Sequence, residues 1–229
     1  MERRARAGAS LQNDWNVVHA RTLKWLAESR KAGRPWVVAN DEQGDALSGV
    51  PPDPGYKGFA GKDSRGRVVQ TVDDIRKMTL RGNLMAGGGG VEYYFGYFLP
   101  DNDMVAENFR SRDRSWEFGR IAQDFFRSNR IAFWTMSNAD ALVGNTAGDN
   151  TRWCLAKAGE IYVVYLPAGG TTSLDLGQAA GRFTVRWFDP RRGGPLRKGS
   201  VPSVVAGAAV ALGDPPDNPT EDWAIVVRR

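Results

Sequence analysis

Hydrophobic and polar positions follow two different rules along this chain. Up to about residue 144, apolar residues recur at helical spacing and are broken by short unbroken apolar runs. Beyond about residue 150, short strand-like runs alternate with turns. In the first part, Trp15, Val18, Thr22, Trp25 and Leu26 predict a helix over Asp14–Lys31, capped by Asn13 or Asp14 and ended by Gly33. Pro35 then opens Trp36-Val37-Val38-Ala39, which stops at Asn40-Asp41-Glu42-Gln43-Gly44. Four apolar residues bounded by turn residues predict a strand. An unbroken run, without alternation, is the pattern of a strand covered on both faces in a parallel sheet.

The chain then enters a long loop over Asp45–Val69, rich in Gly, Pro and Asp. Loops of this length inside a domain are usually functional or mobile. Thr71 is a fair N-cap for a second helix running through Ile75, Met78, Leu80 and Leu84 to Met85, with Asp73 and Asp74 in its first turn. Gly87 to Gly90 follow. Because these glycines follow a helix and lead into a strand, they do not read as a phosphate cradle, which requires the reverse order. They read as a helix stop that permits close packing. Val91 to Tyr97, VEYYFGY, predicts a second buried strand in which Glu92, Tyr94 and Gly96 share a face. A third helix is predicted over Trp116–Arg127, with Phe118, Ile121, Ala122, Phe125 and Phe126 as its apolar face.

Gly144–Asn150, GNTAGDN, is the clearest break in the pattern. Strands are predicted after it near Thr151–Ala156, Glu160–Leu166, Thr172–Leu176, Phe183–Phe188, Ala209–Leu212 and Trp223–Val227, with a further short one near Leu196–Ser200. Pro167-Ala168-Gly169-Gly170 and Asp189 to Gly194 are turns. This spacing predicts a small antiparallel β-sandwich over residues 150–229. Its aromatics, Trp187 among them, read first as core and second as a stacking surface.

Composition narrows the function classes. The chain has 229 residues, 41% hydrophobic and 25% charged, values ordinary for a soluble protein. No stretch approaches the roughly 18 consecutive apolar residues of a spanning helix. The start, MERRARAGAS, is basic but has no apolar core of a secretory signal, so residues 1–13 read as a disordered lead. The formal net charge is +5. The arginines are scattered (Arg110, Arg112 and Arg114, then Arg191-Arg192, then Arg228-Arg229), whereas nucleic-acid binders gather charge on one face. Neither a nucleic acid nor a membrane is an expected partner. Cys154 is the only cysteine, which excludes an intrachain disulfide. It reads as a small buried apolar residue. No metal-ligand spacing and no cofactor motif is present.

Candidate chemistry lies in the first part. Asp41 and Glu42 are adjacent carboxyl groups at a strand end. Glu92 sits inside an aromatic run, where a buried carboxylate needs a hydrogen-bond donor or a function. His19, on the first helix, reads as a packing residue or a binding contact. A structural reading stands beside the catalytic one: Asp41 and Glu42 capping a loop and binding Arg65, Arg67 or Arg76.

Three segments near the end, WCLAKAGEIYVVYLPAGGTTSLDL, VRWFDPRRGGPLRKG and DWAIVV, resemble the collagen-binding-type domain appended to bacterial glycoside-hydrolase-like proteins. Upstream, PWVVANDEQG, LRGNLMAGGGGVEYYFGY and FRSRDRSWEFGRIAQDFF resemble the last part of the catalytic barrel in apiosidase-like hydrolases. The resemblance implies an α/β plus all-β fold: the C-terminal part of a (β/α)₈ TIM-type barrel over residues 14–144, followed by the sandwich. It implies Glu42 as the catalytic carboxylate, the nucleophile, with Asp41, Glu92, Tyr94 and His19 as substrate-binding residues. It implies a carbohydrate substrate or extracellular polymer as partner, and an extracellular or periplasmic setting. A whole barrel takes about 250 residues, and the strands that would carry the acid/base are absent from 14–144. The expectation is therefore a glycoside hydrolase incomplete on its own, self-associating or joined by a partner fragment. The alternatives are a module that binds polysaccharide or collagen-like protein without catalysis, and an inert remnant or assembly part.

Overall fold

The computed structural model describes residues 8–43, 49–59, 62, 66, 70–105 and 108–229. They form two compact units. Unit 1 draws on Met1–Leu84 and Gly88–Gly119, and unit 2 on Met85–Gly87 and Arg120–Arg229. The division falls inside the helix Asp113–Ser128.

Unit 1 is built on a parallel sheet of three strands: β1 (Gly8–Asn13), β2 (Val37–Gln43) and β3 (Gly90–Val91), in the order β1-β2-β3. The residues read as a disordered lead therefore supply a strand from Gly8 onward, while residues 1–7 lie outside the described residues. Burial in β1 alternates along GASLQN, but only weakly. It is the backbone pairing with β2 that makes a strand of a segment with almost no apolar signal. Helix α1 (Val18–Lys31) connects β1 to β2. It begins four residues later than expected. Neither Asn13 nor Asp14 caps it. Asp14 instead closes a turn, its carbonyl accepting from the Val17 amide at 3.1 Å. Gly33 ends the helix as expected, in the left-handed region at φ +71°.

Strand β2 runs four residues beyond the predicted Trp36–Ala39, through Asp41 and Glu42 to Gln43. The register with β1 pairs Leu11 with Asn40 and Gln12 with Glu42, so Asp41 is an extra residue, a bulge. Burial follows it: Val38 and Asn40 are buried two apart, then Gln43 three further on. Bulges of this kind re-aim side chains at strand ends.

The second helix forms as read, with one departure. Thr71 and Asp74 make a reciprocal capping box at the start of α2 (Val72–Asp74). The chain continues as a π-helical stretch over Ile75–Leu80 and then α3 (Arg81–Met85). The glycines after it do permit close approach. A Cβ on Gly88 would meet the Asn83 amide at 2.4 Å, and one on Gly89 would meet Val37 Cγ1 at 2.4 Å. The expected strand Val91–Tyr97 shortens to the two residues of β3. The Glu92 amide still donates to the Asn40 carbonyl at 3.0 Å, and beyond it side chains take part: Gln43 Oε1 accepts from the Tyr94 amide at 3.0 Å, and Asp103 Oδ2 accepts from the Phe95 amide at 2.9 Å.

Helix α4 (Asp113–Ser128) contains the predicted Trp116–Arg127, and Phe118, Ile121, Ala122 and Phe125 are buried. Unit 2 then folds as an antiparallel sheet in the order β4-β5-β6-β11-β8-β9, with a separate β10-β7 ribbon. The strands are β4 (Ser137–Asn138), β5 (Trp153–Lys157), β6 (Ile161–Leu166), β7 (Ser173–Asp175), β8 (Arg182–Phe188), β9 (Ser203–Val205), β10 (Ala209–Ala211) and β11 (Trp223–Arg228). The expected strand near Leu196–Ser200 is reduced to an isolated bridge between Trp187 and Arg197. Its place beside β8 is taken by β9.

Every residue of β6 is buried. Tyr162, Val164 and Leu166 belong to one core with Leu174, Phe183, Trp187, Leu212 and Trp223. On the other face, Phe188 of β8 packs against Phe125 of α4, ring centres 4.6 Å apart. Cover on both faces explains the unbroken IYVVYL run. Cys154 is fully buried in the first of these cores, as expected.

Candidate functional site

The ends of the parallel strands gather the candidate residues of unit 1. Glu42 lies at the C-terminal end of the central strand, half-buried. Its partner is Gln12 of β1, directly opposite in the register, whose Nε2 donates to Glu42 Oε1 at 2.7 Å. The bulge at Asp41 sets this pairing, since without it Gln12 would face Asp41. The next residue, Gln43, is fully buried. Its amide donates to the Glu92 carbonyl as well as receiving the Tyr94 amide, so it fixes the chain after β3 beside the end of β2. Asn40, also fully buried, donates to the carbonyls of Leu11 (2.6 Å) and Glu42 (2.9 Å). Two buried amides thus hold the backbone on which Glu42 stands.

Tyr94 belongs to the same neighbourhood. Burial, a hydrogen bond with Tyr97 and the nearby carboxylates of Glu42 and Asp103 push its phenol well above the usual tyrosine range. It remains a neutral hydroxyl close enough to sense the Glu42 charge. Its ring meets that of half-exposed Tyr97 edge-on, centres 6.1 Å apart. Tyr97 was not singled out in the sequence, though its place in the same aromatic run was the available signal.

The other candidates stand differently. Glu92 was read as a buried carboxylate on a strand, but it lies just past β3 and is exposed. Its backbone is what the site uses: the Glu92 amide donates to Asn40 at 3.0 Å and its carbonyl accepts from Gln43. The cost of burying a charge, which motivated the reading, does not arise. Asp41 is the half-buried bulge residue. His19 is 1% exposed on α1, its Nδ1 2.9 Å from the Gly82 carbonyl, a core position of unit 1. Of the arginines considered as partners for Asp41 and Glu42, Arg65 and Arg67 lie outside the described residues. Arg76 pairs with Asp73 and stacks over Phe118.

Beside Glu42 opens a cleft of about 470 Å³ lined by Gln12, Asp14, Arg21, Lys24, Trp25 and Glu42, among others. Two carboxylates, two cations and an indole surround a volume suited to a small polar ring. Elsewhere in unit 1, Arg112 is fully buried. Its Nε donates to the Val50 carbonyl at 3.1 Å, and its guanidinium lies 4.8 Å from the centre of Phe95. Burial pushes its pKa down to about 10, against the pull of Asp101, Asp53 and Asp103. Asp53, buried nearby, accepts from the Arg114 amide at 2.8 Å; burial still raises its carboxyl above the usual range. No group of three or more His, Cys, Asp or Glu is placed to hold a metal among the described residues.

In unit 2 the segments that carried the sequence resemblance lock one another. Tyr165, of VVYLPAGG, donates its hydroxyl to Asp222 at 2.7 Å, and Asp222 opens DWAIVV. Arg191, of DPRRGG, grips Asp189 through two hydrogen bonds of 2.7 and 2.9 Å and lies 5.1 Å from the Trp223 ring. Gly169 sits where a Cβ would be 2.4 Å from the Glu221 carbonyl. Trp187, weighed as a stacking surface, is fully buried. These residues build the fold.

Residues 139–228 match a family model described as "Putative collagen-binding domain of a collagenase". No curated protein matches the chain. Among solved structures, a protein titled "Glycoside hydrolase" is similar over 90% of this chain and 45% of its own, at 12% identity and a TM-score of 0.63. A glycoside hydrolase family 5 protein from Bacteroides vulgatus ATCC 8482 is similar over 90% of this chain and 44% of its own, at 14% identity and a TM-score of 0.62. The chain spans less than half the length of these structures. At such identities the likeness is one of fold. Among the described residues no helix is long and apolar enough to cross a membrane. The chain is thus glycoside-hydrolase-like in fold, with a collagen-binding-type domain match over residues 139–228.

Proposed function

We propose that this chain is the C-terminal portion of a carbohydrate-active, glycoside-hydrolase-like protein, and that unit 1 is the last part of its (β/α)₈ barrel. The observation that carries the reading is the position of Glu42. It stands at the C-terminal end of the central strand of a parallel sheet, tied to Gln12 and close to a neutral tyrosine. In barrels of this type the chemistry sits at that end of the strands. Glu42 is the proposed nucleophile. Tyr94 is a hydroxyl donor to substrate or to Glu42, and Asp41 shapes the strand end through its bulge. Glu92 and His19 fit supporting roles better than binding ones, since one contributes its backbone and the other is buried. The residues from about 150 onward are the accessory β-sandwich, which binds carbohydrate or extracellular polymer in an extracellular or periplasmic setting.

Glycoside hydrolysis needs two carboxyl groups flanking the scissile bond. Unit 1 supplies Glu42; of the carboxylates near it, Asp14 of the same cleft is exposed and Asp41 is the bulge residue of the strand, so neither is the buried, proton-holding acid the reaction needs. A nucleophile without a positioned acid loses the roughly 10²–10⁴-fold that general acid catalysis supplies. The proposed enzyme is therefore completed by further barrel strands on another segment, paired to an open edge of the parallel sheet. The test is turnover of a panel of aryl glycosides by the chain alone and with the complementary barrel segment in trans. Activity is expected only for the pair, and Glu42→Gln abolishes it. Efficient turnover by the lone chain, lost on Glu42→Gln or Glu92→Gln, would instead make those two the catalytic pair. The match over 139–228 favours one second reading, a polymer-binding module without catalysis. Retention on an insoluble polysaccharide or collagen, with no turnover by the reconstituted pair, would select it.

A further inference from the structure

Unit 2 carries a second cleft, of about 420 Å³, that neither the hydrolase reading nor the family match assigns. Four pieces of chain converge on it. The end of α4 brings Arg130, the 3₁₀ turn over Phe133–Thr135 brings Thr135, the β5–β6 hairpin brings Lys157 and Glu160, and the end of β11 brings Arg228 and Arg229. Four cationic side chains line the cleft with one carboxylate side chain, which is already engaged by Lys157 at 2.6 Å. Arg228 is held in place by a 2.7 Å hydrogen bond from its guanidinium to the Asn129 carbonyl. Arg130 and Arg229 have no acidic partner among the described residues. The side chains of the cleft keep an excess of positive charge.

Two further observations point to a ligand. Arg130 has φ +51°. It stands just past the end of α4, its amide bonded to the Arg127 carbonyl and the next amide to the Phe126 carbonyl. This is the left-handed helix stop where glycine is the unstrained residue. An arginine held there places its charge in the cleft against backbone preference, and such strain collects at functional positions. Then there is Trp134. It is 83% exposed, the most exposed large apolar side chain among the described residues, and in sequence it falls between Ala132 and Thr135, two residues that line the cleft, without lining it itself. A solvent-facing indole next in sequence to lining residues offers a flat apolar face to the C–H side of a sugar ring that extends beyond the cleft.

We propose that this cleft binds an acidic polysaccharide, its carboxylate or sulfate groups against Arg130 and Arg229 and a sugar face on Trp134. The inference rests on unit 2 being the polymer-binding part of the protein and does not use Glu42. The charge is confined to a cleft the size of one or two sugar rings and paired with one stacking surface. A nucleic-acid backbone would call for a longer run of cations.

The test uses the full chain, immobilised, with four probes: polygalacturonate (carboxylate only), heparin (carboxylate and sulfate), neutral dextran, and linear polyphosphate as a polyanion without sugar. One or both acidic polysaccharides should bind in a salt-dependent way, and which one does separates carboxylate from sulfate recognition. Dextran should not bind. Arg130→Gly, which relieves the backbone as it removes the charge, should weaken binding about tenfold or more while leaving the melting temperature unchanged or raised. Trp134→Ala should weaken the polysaccharides several-fold and polyphosphate not at all. Glu42→Gln should bind like the parent, so a failure of the catalytic reading leaves this result readable. Equal binding of polyphosphate and acidic polysaccharide, untouched by Trp134→Ala, would reduce the site to bare charge and overturn the proposal. So would full affinity in Arg130→Gly, or no binding to either acidic polysaccharide.

Discussion

The interiors of the two units are built from different materials. The sheet of unit 2 buries Trp153, Trp187 and Trp223 completely, with valine, isoleucine, leucine and phenylalanine around them. Its buried acids are engaged: Asp222 by Tyr165, Asp189 by Arg191, and Asp140 by the Cys154 amide. Unit 1 buries Asn40, Gln43, Asn83 and three arginines, Arg76, Arg81 and Arg112. Among the described residues, no arginine is buried in unit 2. Apolar surface removed from water is a dependable source of stability. Buried amides and charges instead hold backbone in set positions, at a desolvation cost their partners must offset. One unit is organised to be stable, and the other to present strand ends in a fixed geometry.

The largest expected effect lies in the apolar unit. Trp223→Ala removes an indole that packs against Trp187 at 6.0 Å and is flanked by Arg191 and Arg197. It should cost about 3–5 kcal/mol in denaturant unfolding. Cys154 reports on the same core, because burial pushes its thiol far above the reactive range. In the parent protein the thiol should resist alkylation until the sheet unfolds, and in Trp223→Ala it should react at lower denaturant. A thiol that reacts equally fast in native and denatured protein would break the comparison.

Arg112→Met is the matching change in unit 1. It removes the hydrogen bonds to Val50 and Ser111 along with a buried charge. A loss of about 1–3 kcal/mol is expected, smaller than for Trp223, because relief of desolvation offsets part of the lost bonding. A gain in stability on this substitution would show that the buried cation is held at a net cost, and would sharpen the contrast. Thr71→Ala should cost about 1 kcal/mol through loss of the capping box, and Thr71→Ser should retain most of it. Equal stabilities for Ala and Ser would mean that tertiary packing, not the cap, fixes the start of α2.

The smallest effect depends on pH. Burial raises the Asp53 carboxyl in the folded state above its unfolded value. The folded protein therefore holds that proton more tightly. The associated stability is present in full below the unfolded pKa and is lost as pH rises through the folded one. Asn at this position keeps an acceptor for the Arg114 amide and does not titrate. Between pH 4 and pH 7 the parent should lose stability relative to Asp53→Asn, which parallel melts would measure. A constant difference across that range would place the Asp53 carboxyl in water.

What the sequence determined by itself is clearest where the signal is local or apolar. The IYVVYL run announced a strand, and Phe118, Ile121, Ala122 and Phe125 announced a buried helix face. Thr71 announced its cap, and the glycines after Met85 their close packing. Each follows from side chains meeting neighbours a few residues away or leaving water, and composition records both. Tertiary structure alone decided the rest. Strand β1 exists because the backbone of β2 lies beside it, and no apolar pattern in GASLQN required that. The length of β2, the bulge at Asp41 and hence the pairing of Glu42 with Gln12 are set by register, which involves two segments about thirty residues apart. Glu92 lies past the end of β3 and is exposed, in a segment held partly by the side chain of Gln43, forty-nine positions earlier. The second cleft was invisible for the same reason: Arg130, Lys157, Arg228 and Trp134 read as scattered residues until the fold brought their segments together. Interactions local in sequence leave a periodic trace in it, whereas hydrogen bonds and charges shared between distant segments leave none.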